Sequence, residues 1–345
     1  MQNDFDRPSM SRRSILAAAA CLPVLITGTA QGAVTQPVSL SGEDAFNEAT
    51  QRVRAQLAAG TGTQLVLLGS GAGPVPGRYR RQTSVLLVHG DSAYVLDFGL
   101  GCVDQFARTG VPFGNVKSLF LTHQHPDHNI EYGPFLIEGW VNGLKQSVKA
   151  YGPKGLTRMS DLYLDSMKET IAFWAEDFHR PPLTAIETHE FSAGGAIMQD
   201  DIVKVSGMLV EHPPVVPAFG YRFDFPDRSI AFSGDTVVLD SFAEFAKGAD
   251  VMVHEAMHVP GMQREVKKLI DGGVPVTMEA FTNHMNKVHA RIEDVGRVAQ
   301  KAGVSTLVLY HLTPAVEPVT DAQWRAAAAK HFKGEIIVGH DLLVV

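Results

Sequence analysis

Four residues that can bind a metal ion lie within positions 123–128, directly after an apolar segment. The segment Ser118–Leu121 has the composition of a buried strand. His123 and His125 are two residues apart, so in an extended chain their imidazoles point the same way and can hold one ion. Asp127 and His128 follow a proline, where the chain bends, and can face a second ion. Imidazole and carboxylate both suit zinc, so the segment predicts a metal site and not merely a solvated loop.

This His-x-His-x-Asp-His motif resembles the signature of the metallo-β-lactamase superfamily, and the resemblance extends over roughly residues 64–345. Three later residues, His212, Asp235 and His311, each follow an apolar segment and match the remaining ligand positions. The resemblance implies one group of ligands for each ion, namely His123, His125 and His212, then Asp127, His128 and His311. Asp235 would lie between the ions with a hydroxide that attacks the substrate. The predicted cofactors are two zinc ions, and other divalent metals are compatible.

Several phrases resemble the branch that contains ribonuclease Z and arylsulfatase-like enzymes, at positions 68–71, 151–156 and 218–222. The segment His254-Glu255-Ala256 resembles that branch's His-Glu-Ala element, and His289 precedes a predicted helix. By this resemblance Glu255 orients His289, which protonates the leaving group as general acid. The alternative is that Glu255 simply ends a strand and His289 caps a helix. The predicted catalytic residues are Asp127, Asp235, Glu255 and His289.

Two features argue against RNA as the substrate. Only 22 residues separate His212 from Asp235, which leaves no room for the long arm with which ribonuclease Z enzymes hold tRNA. The net charge is −7 and no run is rich in lysine and arginine, whereas RNA binding depends on neutralising phosphates. Residues 129–134, with Trp140, look more like the arylsulfatase-like members. We therefore predict a small anionic sulfate or phosphate ester as the substrate, in an arylsulfatase-like or phosphodiesterase-like reaction, and no nucleic-acid partner.

The substrate pocket has fewer signals in the sequence. The loop 78–81, Arg-Tyr-Arg-Arg, can supply a cation to an anionic substrate or form a solvated turn. Four aromatic residues can line an aryl pocket or belong to the core: Trp140, Trp174, Phe219 and Tyr221. A lactone or β-lactam hydrolase on the same metal centre is the alternative function, because an activated hydroxide also attacks carbonyl carbon.

Residues 254–258 also match His-Glu-x-x-His, the zincin protease signature, which requires both histidines on one helix. The apolar segment Val251–Val253 precedes them, and Pro260-Gly261 makes a sustained helix unfavourable. A zincin site is therefore not expected. An iron-containing redox variant and a non-enzymatic binding protein are disfavoured because all seven ligand positions are intact.

The N-terminus has the pattern of a Tat-type export signal over residues 1–33. Arg12-Arg13 precedes an uncharged stretch over 17–30 and then small residues, whereas Pro23 and Gly28 would break a buried helix. Export predicts a periplasmic or secreted protein with no membrane contact in its mature form, and a homodimer is compatible. Cys102 would then be the one cysteine left, which excludes an intrachain disulfide.

The elements that position these residues form two strand-rich blocks, each followed by helices. This order predicts an α/β fold of the αββα type, with two sheets face to face and helices outside. We predict an N-terminal segment over 34–63, with a helix over 43–58, and one catalytic domain over 64–345. The candidate ligands would then all follow strands.

Overall fold

The computed structural model describes residues 42–77, 79–315 and 318–345. The described chain from Gly42 to Val345 forms one compact unit. The predicted export signal over 1–33 and the first part of the predicted N-terminal segment lie outside the described residues.

Two seven-stranded sheets form the centre of the described chain. The strands in chain order are β1 (Thr63–Gly69), β2 (Ser84–His89), β3 (Ser92–Leu96), β4 (Val116–Phe120), β5 (Lys149–Pro153), β6 (Glu187–Phe191), β7 (Gly195–Gln199), β8 (Lys204–His212), β9 (Val215–Asp224), β10 (Ser229–Phe232), β11 (Val251–Met257), β12 (Thr306–Thr313), β13 (Glu335–Val338) and β14 (Leu343–Val344). The first sheet has the order β14-β1-β2-β3-β4-β5-β6, and the second has β13-β12-β11-β10-β9-β8-β7.

Helices cover the outer faces of the two sheets. In chain order they are α1 (Gly42–Ala59), α2 (Cys102–Thr109), α3 (Pro126–Asn129), α4 (Tyr132–Val141), α5 (Leu156–Ser166), α6 (Lys168–Asp177), α7 (Asp240–Phe245), α8 (Val259–Asp271), α9 (Met278–Met285), α10 (Ile292–Ala302) and α11 (Asp321–Ala328). The helix predicted over 43–58 is present as α1. None of the helices in the described ranges is long and apolar enough to cross a membrane.

Alternation of apolar side chains along the strands explains the layers. In β1, Leu65 and Leu67 point between the two sheets, whereas Val66 and Leu68 point to the helices outside the first sheet. Successive side chains of a strand face opposite sides, so an apolar strand can bury both faces. A third cluster lies between the second sheet and α7, α10 and α11. The order helix, sheet, sheet, helix confirms the predicted αββα fold.

The segment with the zincin-like pattern is a strand, as predicted. His254 and Glu255 lie in β11, so the two histidines of the pattern do not share a helix. A helix nevertheless follows, because α8 begins at Val259 with a proline in its first turn. Helix α8 begins only after the pattern and accepts Pro260, since the first turn of a helix needs no partner for its N–H groups.

Strand direction brings the candidate ligands to one edge of the second sheet. Strands β8 and β10 both run antiparallel to β9, and β10, β11 and β12 are mutually parallel in that order. The carboxyl ends of these four strands therefore lie at the same edge, which is where ligands bind in open α/β sheets.

Gly234 allows the turn that follows β10, and it yields a first prediction. Its φ is +62°, and an added Cβ would lie 2.4 Å from the carbonyl oxygen of Phe219. We expect Gly234→Ala to lower the free energy of unfolding by about 1 kcal/mol for the left-handed backbone and by about 1–3 kcal/mol more for the clash. Urea denaturation measures this loss.

Gly248→Ala is the matched control for this prediction. Gly248 has a φ of +72°, but no atom lies within 4 Å of an added Cβ, so this variant should lose only the backbone contribution. Equal losses in the two variants would contradict the role of close packing at Gly234.

Candidate metal centre

Three histidines and one aspartate converge in a first cluster. His125 Nδ1 lies 3.0 Å from His123 Nε2 and 3.1 Å from His212 Nε2. Asp235 Oδ2 lies 3.8 Å from His123 Nε2 and 3.7 Å from His212 Nε2. All four atoms lie within 4.8 Å of one another, which is close enough for them to hold one metal ion.

The same carboxylate of Asp235 takes part in a second cluster. His311 Nε2 lies 3.0 Å from Asp235 Oδ2 and 3.3 Å from Asp127 Oδ2. His128 Nε2 lies 3.3 Å from Asp235 Oδ2 and 3.7 Å from Asp127 Oδ2. The structure thus brings the seven residues that the sequence singled out into two adjacent clusters that share Asp235.

His311 reaches the second cluster because β12 contains a bulge. Glu255 of β11 pairs with Tyr310 and Ala256 pairs with Leu312, so His311 is the extra residue between them. Its φ of +43° is unusual for a residue other than glycine. Tyr310 packs between the sheets and Leu312 packs outside the second sheet, which shows that the bulge reverses the alternation of side chains. A bulge that re-aims a side chain is common beside active sites.

Hydrogen bonds from neighbouring groups fix the orientation of the imidazoles. Asp97 Oδ2 lies 2.8 Å from His128 Nδ1 and also accepts a 2.9 Å bond from Thr122 Oγ1. His212 Nδ1 donates a 2.8 Å bond to the Val288 carbonyl. When Nδ1 carries the proton, Nε2 is left with the lone pair that a metal ion requires.

The donor set fits divalent cations. His128 Nε2 and Asp235 Oδ1 are buried without a hydrogen-bond partner of good geometry among the described residues, which is costly unless another group satisfies them. Burial lowers the pKa of His311, but Asp235 and Asp127 outweigh it and raise that pKa to about 10. The buried carboxylates therefore create a potential that favours positive charge at this position. Together the two clusters indicate a dinuclear metal site of the kind that zinc occupies.

Glu255 and His289 form a pair beside the second cluster. His289 Nδ1 lies 3.0 Å from Glu255 Oε2, and Glu255 Oε1 accepts a 2.6 Å bond from the backbone N–H of Thr236. The rings of His289 and His311 stack with centroids 5.5 Å apart. Burial lowers the pKa of His289, but the Glu255 carboxylate raises it more, so the ring protonates more readily than a free imidazole. This pairing agrees with the orienting role that the resemblance implies for Glu255.

A cleft of about 490 Å³ opens onto both clusters and onto His289. Its walls come from α8, α9 and the loops around positions 74, 213 and 314. The apolar side chains of the wall include Val75, Met262, Leu269, Phe281 and Met285. No lysine or arginine lines the cleft within the described ranges.

The other predicted pocket residues lie elsewhere. Arg80 donates hydrogen bonds to Ser70 Oγ and to the Gly339 carbonyl, so it ties the loop to the sheet edge. Three of the four predicted aryl-pocket residues belong to the cores, namely Trp140, Phe219 and Tyr221. Trp174 is partly exposed and stacks on Phe178. The second histidine of the zincin-like pattern, His258, caps α8 by accepting a bond from the Gly261 N–H.

A family model described as a β-lactamase superfamily domain matches residues 94–312, which is more than half of the chain. The chain belongs to the metallo-β-lactamase superfamily. A curated relative named ribonuclease Z, from Mycobacterium bovis (strain BCG / Pasteur 1173P2), is 32% identical over 291 residues, which cover 81% of this chain and 96% of the relative. Ribonuclease Z of Mycobacterium tuberculosis (strain ATCC 25618 / H37Rv) matches with the same identity and coverage.

Solved structures of the superfamily share the fold. The metallo-β-lactamase fold protein YhfI from Bacillus subtilis has a TM-score of 0.60 at 18% identity and covers 82% of this chain and 98% of its own. Human tRNase Z, short form, has a TM-score of 0.56 at 20% identity with the same two coverages.

The relatives named ribonuclease Z overturn two predictions about the substrate and partners of this superfamily member. The predicted substrate, a small sulfate or phosphate ester, is wrong, and so is the lactone or β-lactam alternative. Relatives that are 32% identical and are covered over 96% of their length are named ribonuclease Z, which is the name of an RNA-cleaving enzyme. The exclusion of nucleic acid is wrong on the same finding. Net charge misled here because it counts the whole surface, whereas RNA binding depends on the local field. The short segment between His212 and Asp235 argues only against a long RNA-binding arm at that one place in the chain.

The predicted periplasmic or secreted location is also wrong, because the same relatives are named ribonuclease Z. The resemblance to the arylsulfatase-like branch finds no support among them. The segment on which export rested, residues 1–33, is not part of the described chain.

Two supporting residues were missed in the sequence, Asp97 and Thr122. Asp97 directly follows the apolar strand β3, at the same end as the motif that follows β4. An acidic residue at that place was a usable signal. Its left-handed φ of +61°, which turns the carboxylate toward His128, has no signature in the sequence.

Asp97→Asn tests the support that Asp97 gives to His128. We expect zinc binding at the second cluster to weaken about 10- to 100-fold, because the ring loses its charge-assisted hydrogen bond. Competition with a chromogenic zinc chelator measures the two affinities. Asp91→Asn, at an exposed turn between β2 and β3, is the matched control. Wild-type affinity for both ions in Asp97→Asn would refute the role.

Proposed function

We propose that this chain is a metal-dependent ribonuclease of the ribonuclease Z type, which hydrolyses a phosphodiester bond in a tRNA precursor. The observation that carries the proposal is the 32% identity to ribonuclease Z over 96% of that enzyme, together with the convergence of seven candidate ligands at one sheet edge. The metal identity proposed is zinc, because imidazole and carboxylate in these numbers are its usual ligands.

In this proposal one ion would be held by His123, His125 and His212, the other by Asp127, His128 and His311, and Asp235 would serve both. Two divalent ions in such a site supply Lewis acidity toward the phosphate and activate water. Asp97 holds the His128 ring in place, and the Val288 carbonyl does the same for His212. The residues of the chain thus provide a largely buried donor set, two of whose imidazoles are oriented by hydrogen bonds.

His289 is proposed as the proton donor for the leaving ribose oxygen. Its Nδ1 donates to Glu255, so Nε2 is the nitrogen left to meet a substrate, and the ring lines the cleft. Glu255 acts through His289 by fixing the tautomer and raising the pKa of the ring. Glu255 is therefore a positioning residue. Its Oε1 accepts a hydrogen bond from the Thr236 N–H, and its own backbone N–H donates to Ser233 Oγ.

A tRNA precursor transcript tests the proposed function directly. The zinc-loaded protein should cut it at a defined position, chelation should abolish cleavage, and added zinc should restore it. We expect Asp235→Ala to lower kcat/KM at least about 10³-fold, because one carboxylate serves both clusters. Asp201→Asn, at an exposed turn, is the control and should cut like the wild type. A zinc-loaded protein that cuts no RNA would sink the proposal.

His289→Ala tests the proton donor separately from metal binding. On RNA we expect kcat to fall about 10²- to 10⁴-fold with both zinc ions retained. On bis(p-nitrophenyl) phosphate, whose leaving group departs without protonation, the loss should shrink to under about 10-fold. His331→Ala, which changes an exposed histidine, is the control. Equal losses on the two substrates would argue against proton donation.

A further inference from the structure

The cleft beside the candidate metal centre has a wall that the proposed chemistry does not use. Helices α8 and α9 pack on each other through Met262, Val266, Met278 and Phe281, with Met257 beneath them. Phe281 and Met285 of α9 and Leu269 of α8 also line the cleft. Leu269 is 40% exposed, so part of this apolar wall is in contact with solvent.

The lining of the wall disfavours a phosphate as its occupant. No lysine or arginine from the described ranges lines the cleft, and its acidic residues are Asp127, Asp235 and Glu265. Among the residues that line the cleft, a phosphate group placed against α8 would meet apolar side chains and the acidic Glu265. A flat group of low charge meets no such penalty there.

The size and position of the cleft limit the occupant further. A volume of about 490 Å³ lies within the usual range for a small-molecule site and takes a group of about the size of one nucleoside. The same cleft is lined by His125, His212, His289 and His311, so a group bound to the wall lies next to whatever reacts at the clusters. That continuity favours a part of the substrate over a separate protein partner.

Resting on the proposed function, we infer that the wall formed by α8 and α9 binds one unpaired nucleobase, next to the phosphodiester that is cut. Phe281 offers an aromatic face on which a base can stack, and Leu269 and Met285 supply apolar contact at its edges. Bases in single-stranded RNA can be splayed out and stacked on aromatic side chains, whereas paired bases cannot.

Abasic substitution in the RNA tests this inference. The substrates are the tRNA precursor transcript and versions in which one nucleotide on either side of the cleavage position lacks its base. One of the two abasic positions should raise KM about 10- to 100-fold with a smaller change in kcat, because stacking of a base contributes to binding. The other position should have little effect.

Variants of the wall complete the experiment. Phe281→Ala should raise KM on the intact RNA about as much as the abasic substitution does, and the two changes together should cost no more than either alone. Phe281→Leu keeps the apolar packing and loses the aromatic face, and Leu269→Ala alters the wall at an exposed position. Phe173→Ala is the matched control, because Phe173 is 67% exposed on α6 and lies outside the cleft.

The outcomes separate this inference from the proposed function. If intact and abasic RNA are cut equally well, the base site is refuted and the ribonuclease proposal stands. If Phe281→Ala and Leu269→Ala leave KM unchanged, the wall is not the site. If no RNA is cut although bis(p-nitrophenyl) phosphate is hydrolysed, both proposals fail together.

Discussion

The Asp235 carboxylate is the constraint on which the site depends. Its Oδ2 atom lies between 3.0 and 3.8 Å from the inward-facing nitrogens of His123, His128, His212 and His311. These side chains are almost wholly buried, and a buried cluster of imidazoles and carboxylates is costly unless its charges and lone pairs are matched. The fold meets part of that cost by fixing two of the imidazoles from behind. Asp97, itself held by Thr122, orients His128, and the Val288 carbonyl orients His212.

Much of this arrangement could be predicted from the sequence because it is local. The motif over 123–128 follows a strand, and period-two spacing places His123 and His125 on one side. The αββα fold followed from the alternation of strand-rich and helical blocks. The positions of Asp235 and His212 at strand ends were also visible, since each closes an apolar run.

The remaining features depend on backbone geometry that side-chain patterns do not record. His311 faces the site because one extra residue in β12 reverses the alternation, and Asp97 does so through a left-handed φ. Helix α8 was not predicted, because it begins almost directly after a strand and has a proline in its first turn. The substrate was misjudged for another physical reason, since net charge describes long-range attraction and the chemistry depends on the few groups within reach of the phosphate.

The path of the chain around α8 and α9 has a consequence for how specificity can change. The Met257 N–H donates to the Ala290 carbonyl at 2.8 Å, and Met257 also bridges to Arg291, so the segment 259–288 leaves and rejoins the scaffold at one place. A loop whose ends already meet can be lengthened, shortened or exchanged at a small entropic cost. Glu255 and His289 flank this segment and are anchored to each other. Evolution or design can therefore exchange the segment 259–288 as one unit while Glu255 and His289 keep their places.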